Sequence, residues 1–188
     1  PPERCFVCRG SLYGRLAALA RAEGMKTVVD GVNHDDGQDY RPGIKAAAAR
    51  GVRSPLAEAG LGKEGVRALA KELGLSNWDL PASPCLASRF PYGEVITTEK
   101  LRAVAEGERY LRSLGFRDVR VRHHGDLARV EVGADDIARA AEESMRHGIV
   151  RHLRGLGYIY VALDLSGFRS GSLNEALGPG AVPEKERV

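Results

Sequence analysis

The chain has 188 residues, 43% of them hydrophobic and 28% charged, an ordinary balance for one good-sized globular core or two small ones. Its 28 Lys and Arg against 25 Asp and Glu leave a formal charge of +3, which argues against a dedicated nucleic-acid binder. No apolar run approaches the roughly 18 residues of a membrane span, and no signal-peptide pattern opens the chain. The three cysteines are too few and too uneven for a disulfide framework and fit a reducing cytoplasm.

The opening "PPERCFVCRG" has no initiator methionine and runs almost directly into a cysteine pair, as expected of a piece of a longer protein. "SLYGRLAALARAE", residues 11–23, carries apolar residues at helical spacing and stops at Gly24. "KTVVDG" predicts a short buried strand from Lys26 to Asp30, followed by the polar, turn-rich loop "DGVNHDDGQDYRPG". "IKAAAAR" predicts a short helix, and "KEGVRALAKELG", Lys63 to Gly74, a second and amphipathic one. Strands alternating with such helices predict a parallel α/β sheet. Ligands of open α/β sheets bind beyond the carboxyl ends of the strands, where the Asp30 loop lies.

"PASPCLASRFPYG", residues 81–93, places Cys85 between two proline-stiffened turns and four residues ahead of Arg89. It reads as an ordered, non-helical loop, with a packed core thiol as the plain alternative. Beyond it the pattern changes. Residues 97–116 predict a long amphipathic helix with Thr97 or Thr98 as N-cap. "RDVRVRHH" and "LARVEV" alternate about the turn Gly125–Asp126 as a β-hairpin. Residues 134–157 predict a second long helix, and 158–165 a closing strand. The expected organisation is therefore an α/β portion over 1–92 and a smaller α+β domain over 93–178. A disordered tail over 179–188 would follow.

Several constellations could carry chemistry. Cys5 and Cys8 form a C-x-x-C that alone leaves half a zinc site, a redox pair or chance open. With Cys85 the count is three thiolates, which suits a [4Fe–4S] cluster with one iron left open. Arg120 and Arg122, two apart on a strand, share one face. Such a pair suits an anion, phosphate or carboxylate, unless the face is simply solvated. Glu108, Glu131 and Asp135 could hold a hard cation such as Mg²⁺, or serve as counter-charges to the arginines. Lys63, at the first turn of its helix, suggests an anion there.

Taken together and in order, "RCFVCRGSLYGRL", "DGVNHDDGQDYRPG", "SPLAEAGLGKEGVRALAKELGL", "PASPCLASRFPYG", "RVRHHGDLARVEV" and "LDLSGFRSGSLNEAL" resemble the LarE family of ATP-dependent sulfur transferases. The resemblance covers residues 3–178. It implies a PP-loop fold of the adenine nucleotide α-hydrolase type. The implied reaction uses ATP and Mg²⁺ to adenylate a carboxylate of a pyridinium biscarboxylate mononucleotide and replaces oxygen with sulfur. The thiocarboxylate product lies on the route to the nickel-pincer cofactor of lactate racemase. The family's "SGGxDS" phosphate loop has no counterpart in this sequence.

The resemblance also assigns roles. Cys85 would either surrender its own sulfur or, with Cys5 and Cys8, hold a [4Fe–4S] cluster. Arg89 would favour the Cys85 thiolate or hold an anionic intermediate, and Ser88, Arg120 and Arg122 would bind substrate. Asp30, Asn33, Asp36 and Lys63 would line the nucleotide end. The expected assembly is a cytoplasmic homo-oligomer, with a hexamer as the family's form. The competing readings are a tRNA-thiolating PP-loop enzyme and a zinc-stabilised binding module.

Overall fold

The first helix, α1 (Arg4–Ala22), is nineteen residues long and starts earlier than its apolar periodicity suggested, taking both cysteines into its first turns. These observations come from a computed structural model that describes residues 3–38, 41–80 and 84–169. The chain divides into two units at Leu80.

In the first unit α1 is followed by a 3₁₀ turn (His34–Gln38), α2 (Pro42–Ala48), a single helical turn α3 (Pro55–Glu58) and α4 (Lys63–Glu72). Tyr13 on α1, Ala47 on α2 and Val52 form its small buried cluster, with Leu16 and Val28 packed against them. The strand expected over Lys26–Asp30 is reduced to one parallel bridge, Val29 with Arg53. Val29 is exposed rather than buried. The pairing direction is as expected, but no further strand among the described residues lies beside it.

The second unit opens with the Cys85 loop, which carries a 3₁₀ turn (Leu86–Arg89). Helix α5 (Thr98–Ser113) follows, capped as expected by Thr97, whose hydroxyl accepts from the Lys100 backbone N–H at 3.3 Å. Strands β1 (Val119–His124) and β2 (Leu127–Val132) form the predicted antiparallel hairpin. Strand β3 (Tyr160–Leu163) pairs parallel to β2, giving the order β1-β2-β3. Among the described residues no helix is long and apolar enough to cross a membrane.

Residue-by-residue alternation gives the hairpin two different faces. Val119 and Val121 lie opposite Val132 and Val130 in register. They enter a core with Leu111 of α5 and with Ile149 and Leu153 of the last helix. The other face carries Arg120 opposite Glu131 and Arg122 opposite Arg129. That face is polar, yet Arg120, Arg122 and Glu131 are all buried. Two helices deliver aromatics to the core in the same way. Gly115 (φ 86°) and Gly157 (φ 101°) turn the chain left-handed just past the helix ends. Phe116 and Tyr158 then bond back to Leu111 O and Leu153 O, a glycine-dependent closure.

The long helix expected over 134–157 is broken. It becomes a 3₁₀ turn (Ala134–Asp136), α6 (Ile137–Ala141) and α7 (Glu143–Gly155), with Glu142 extended at φ −54°, ψ 144°. Ala140 before the break and Ile149 and Leu153 after it enter one core. The apolar spacing therefore runs through the break and hides it.

One close approach yields a stability prediction. A Cβ on Gly107 of α5 would stand 2.8 Å from Leu153 Cδ2 and 3.2 Å from Val121 Cγ2. Both neighbours are fully buried. Gly→Ala in a helix gains about 1 kcal/mol of propensity, whereas overpacking costs about 1–3 kcal/mol. Gly107→Ala is therefore expected to lower the urea midpoint. A raised midpoint would mean that the α5–α7 contact is looser than this geometry.

Candidate functional site

The site is built outward from Cys85. Its thiol is exposed, which sets aside the packed-core alternative. Its carbonyl accepts from the Ser88 N–H at 2.9 Å, closing the 3₁₀ turn. Arg89, at the end of that turn, is 1% exposed and spends its guanidinium in two directions. Nε and Nη2 donate to the two carboxylate oxygens of Glu108 at 2.6 and 3.0 Å. Nη1 donates to Pro84 O at 3.0 Å, Cys85 O at 3.3 Å and Ser88 Oγ at 2.9 Å. Arg89 thus grips the backbone that carries the thiol.

Glu108 projects from α5 and is as buried as Arg89. It also accepts from the Val121 backbone N–H at 3.3 Å and from Arg112 at 3.0 Å. Burial by itself pushes its carboxyl up, but the bonds and charge of Arg89, the Val121 N–H and Arg112 outweigh this and hold it below the usual carboxylate range. Arg122 and Glu131 repeat the arrangement on the polar face of the hairpin. Arg122 donates to both oxygens of Glu131 at 2.9 and 3.1 Å, and its Nη1 reaches Ser88 O at 2.8 Å. Arg129 adds a third contact to Glu131 at 3.1 Å.

Arg120 differs from these. It is buried beside the others, yet among the described residues no carboxylate lies within ion-pair distance of it. Nη1 donates to Val119 O at 3.1 Å, and the guanidinium lies 4.6 Å from the Phe168 ring centroid. Burial, then the charge of Arg89, lowers its pKa to about 10. It remains a cation at neutral pH, held in a poorly solvated place. Such a group is poised to gain from an anion.

The three carboxylates read as a possible Mg²⁺ set differ in their surroundings. Glu108 and Glu131 face arginines, and Asp135 is exposed. Among the described residues no group of three or more His, Cys, Asp or Glu side chains is arranged to hold a metal ion. Glu108 and Glu131 serve as counter-charges to Arg89, Arg112, Arg122 and Arg129.

In the first unit Asp30 sits just past the Val29 bridge, at the carboxyl end of its segment. Tyr13 donates to Asp30 Oδ2 at 3.0 Å, while Ser54 and the Val32 N–H donate to Oδ1 at 2.7 and 3.2 Å. Asn33 and Asp36 brace each other, each side chain accepting the other's backbone N–H at 3.2 Å, and Asp36 also pairs with Arg41 at 3.0 Å. The backbone N–H of Lys63 donates to Asp35 Oδ2 at 2.6 Å. The first turn of α4 therefore already meets a carboxylate, one supplied by the loop. Cys5 and Cys8 are both exposed, three residues apart on one face of α1. Their donor set, with Cys85, is three free soft thiols, which is the chemistry an iron–sulfur cluster needs.

Several contributors escaped the sequence reading. Tyr13, Ser54 and Asp35 are polar residues common on any surface, and only folding brings them to Asp30 and Lys63. Arg112 was findable, standing one helical turn after Glu108.

No protein-family model matches the chain. Individual proteins do. An uncharacterized protein of Synechocystis sp. is 49% identical over 177 residues, 94% of this chain and 66% of its own length. The pyridinium-3,5-bisthiocarboxylic acid mononucleotide synthase of Lactiplantibacillus plantarum is 46% identical over 176 residues, 94% of this chain and 63% of the synthase. An uncharacterized protein of Methanocaldococcus jannaschii is 31% identical over 169 residues, 90% of this chain and 65% of its own length. The chain thus spans just under two thirds of the curated relatives it matches. Matched along nearly all of its own length, this chain is a homologue of these proteins, and the match to the L. plantarum synthase supports the resemblance to the LarE family that its motifs carry.

Proposed function

We propose that the protein is a sulfur transferase that converts a pyridinium biscarboxylate mononucleotide to its thiocarboxylate, at the expense of ATP and with Mg²⁺. Adenylation would turn the substrate carboxylate into an acyl-adenylate with a good leaving group. A soft sulfur nucleophile would then attack the activated carbon and expel AMP. Cys85 is the residue that presents sulfur. Where that sulfur is its own, loss of its Cα proton breaks the Cβ–Sγ bond of the resulting thioester, which frees the thiocarboxylate and leaves dehydroalanine in place of the cysteine. A [4Fe–4S] cluster bound by Cys5, Cys8 and Cys85 would, when present, supply the transferable sulfur in place of the cysteine's own. Arg89 holds the Cys85 turn, and Ser88 links it to Arg122. Arg120 and Arg122 would receive the substrate's phosphate or its carboxylates. Asp30, Asn33, Asp36 and Lys63 would border the nucleotide.

We further propose that the first unit is part of a larger PP-loop domain. Phe6, Val7, Leu12 and Leu19 stand exposed on α1, and Val29 and Arg53 pair as a single parallel bridge, which supports this reading. The same reading takes the protein as a cytoplasmic homo-oligomer, with the hexamer as its expected form.

The observation that carries the substrate reading is Arg120, a buried guanidinium without a carboxylate partner among the described residues, near enough to Arg89 of the Cys85 turn to feel its charge. Calorimetric titration of pyridinium-3,5-biscarboxylic acid mononucleotide into the full chain and its Arg120→Met variant tests it. Charge-assisted bonds are worth about 1.5–3 kcal/mol, so the variant is expected to bind about tenfold to a hundredfold more weakly. Its melting temperature should hold or rise, because a repelling cation is gone. Equal affinity in the two proteins would remove Arg120 from the site.

A further inference from the structure

The two buried carboxylates do something that neither cation binding nor charge balance alone accounts for. Each is clasped by an arginine from both oxygens, and each of those arginines turns a remaining nitrogen onto the Cys85 turn. Glu108 holds Arg89, whose Nη1 reaches Pro84 O, Cys85 O and Ser88 Oγ. Glu131 holds Arg122, whose Nη1 reaches Ser88 O at 2.8 Å. The carbonyls on both sides of the thiol are thus tied to α5 and β2 through two buried ion pairs. A four-residue 3₁₀ turn has poor hydrogen-bond geometry of its own. An exposed loop of this kind would ordinarily sample many positions.

We infer that Glu108 is a positioning residue for Cys85, acting through Arg89, with Glu131 and Arg122 as the second arm of the same clamp. The inference rests on the reading of Cys85 as the residue that presents sulfur. Glu108 itself touches no substrate. It fixes the guanidinium, the guanidinium fixes the turn, and the turn aims the thiol. A nucleophile held in place reacts far faster than one that wanders, because its orientation is settled in advance.

The test is amide hydrogen exchange on the full chain and on the double variant Arg89→Met/Glu108→Leu. Replacing a buried ion pair by apolar side chains of similar volume commonly preserves stability, so the fold survives while the clamp is lost. The Ser88 and Phe90 amides, bonded to Cys85 O and Ala87 O, are expected to exchange about tenfold faster or more. The β1 and β2 amides should keep their protection. Should the double variant fail to fold, Glu108→Gln, which keeps the shape and removes the charge, is read in the same way. Unchanged Ser88 and Phe90 exchange in a folded variant overturns the clamp, whatever the protein's activity is.

Sulfur transfer supplies the second reading. In Glu108→Gln, kcat is expected to fall about tenfold or more with KM for the mononucleotide unchanged, since Arg120 and Arg122 remain to bind it. Faster exchange with unchanged kcat would overturn the positioning role. Wild-type protein without sulfur transfer would instead count against the functional reading and leave the exchange result standing.

Discussion

Cys85→Ser is expected to lower sulfur transfer by about a thousandfold or more, the scale on which loss of a nucleophile acts, while the melting temperature stays put. The thiol is exposed, so swapping sulfur for oxygen there removes no packing, and surface changes usually cost little stability. The rate would be read as thiocarboxylate formed per protein by mass spectrometry, with thermal melts alongside. Cys5→Ala and Cys8→Ala then separate the two sources of sulfur. If the three thiols act as one ligand set, each replacement stops transfer as completely as Cys85→Ser. If Cys85 surrenders its own sulfur, the first two are tolerated, and wild-type protein loses the mass of one H₂S in the single turnover it can make. Full activity in Cys85→Ser would exclude both.

Glu131→Ala should be the most damaging single change to the fold. Its carboxylate is 1% exposed and answers Arg122 from both oxygens and Arg129 from one. Removal leaves Arg122 buried without its bidentate carboxylate and beside Arg120, which is already short of one. Breaking a buried pair from one side costs about 3–5 kcal/mol, and a unit of this size should melt about 15 °C lower or more. Glu58 provides the contrast. It also pairs with an arginine, Arg53, but both side chains are largely exposed, and such pairs contribute little. Glu58→Ala is therefore expected to leave the melting curve where it is. Similar melting curves for the two variants would contradict the idea that burial decides what these ion pairs are worth.

Which parts of this structure could be read from the residues follows from how local their causes are. The hairpin was legible because strict alternation in "RVRHH" and "LARVEV" has one solution, and the Thr97 cap because its bond spans three residues. The break at Glu142 was not, since no glycine or proline marks it and the apolar spacing continues across it. The strand at Lys26–Asp30 was legible in direction but not in extent, because strand length depends on neighbours that sequence does not name. The site divides in the same way. That Arg120 and Arg122 share a face follows from period two. That Arg122 is taken up by Glu131 while Arg120 has no such partner among the described residues follows only from burial and from the Cys85 turn arriving overhead.

If the arginine face beside Cys85 serves sulfur transfer to a pyridinium carboxylate, the product itself will show it. The experiment is mass spectrometry of pyridinium-3,5-biscarboxylic acid mononucleotide after incubation with the full chain, ATP and Mg²⁺, with a parallel incubation on tRNA. The expected outcome is a mononucleotide in which one carboxylate oxygen has become sulfur, and tRNA left unmodified. Thiolated tRNA beside an untouched mononucleotide would contradict that role for the Cys85 face.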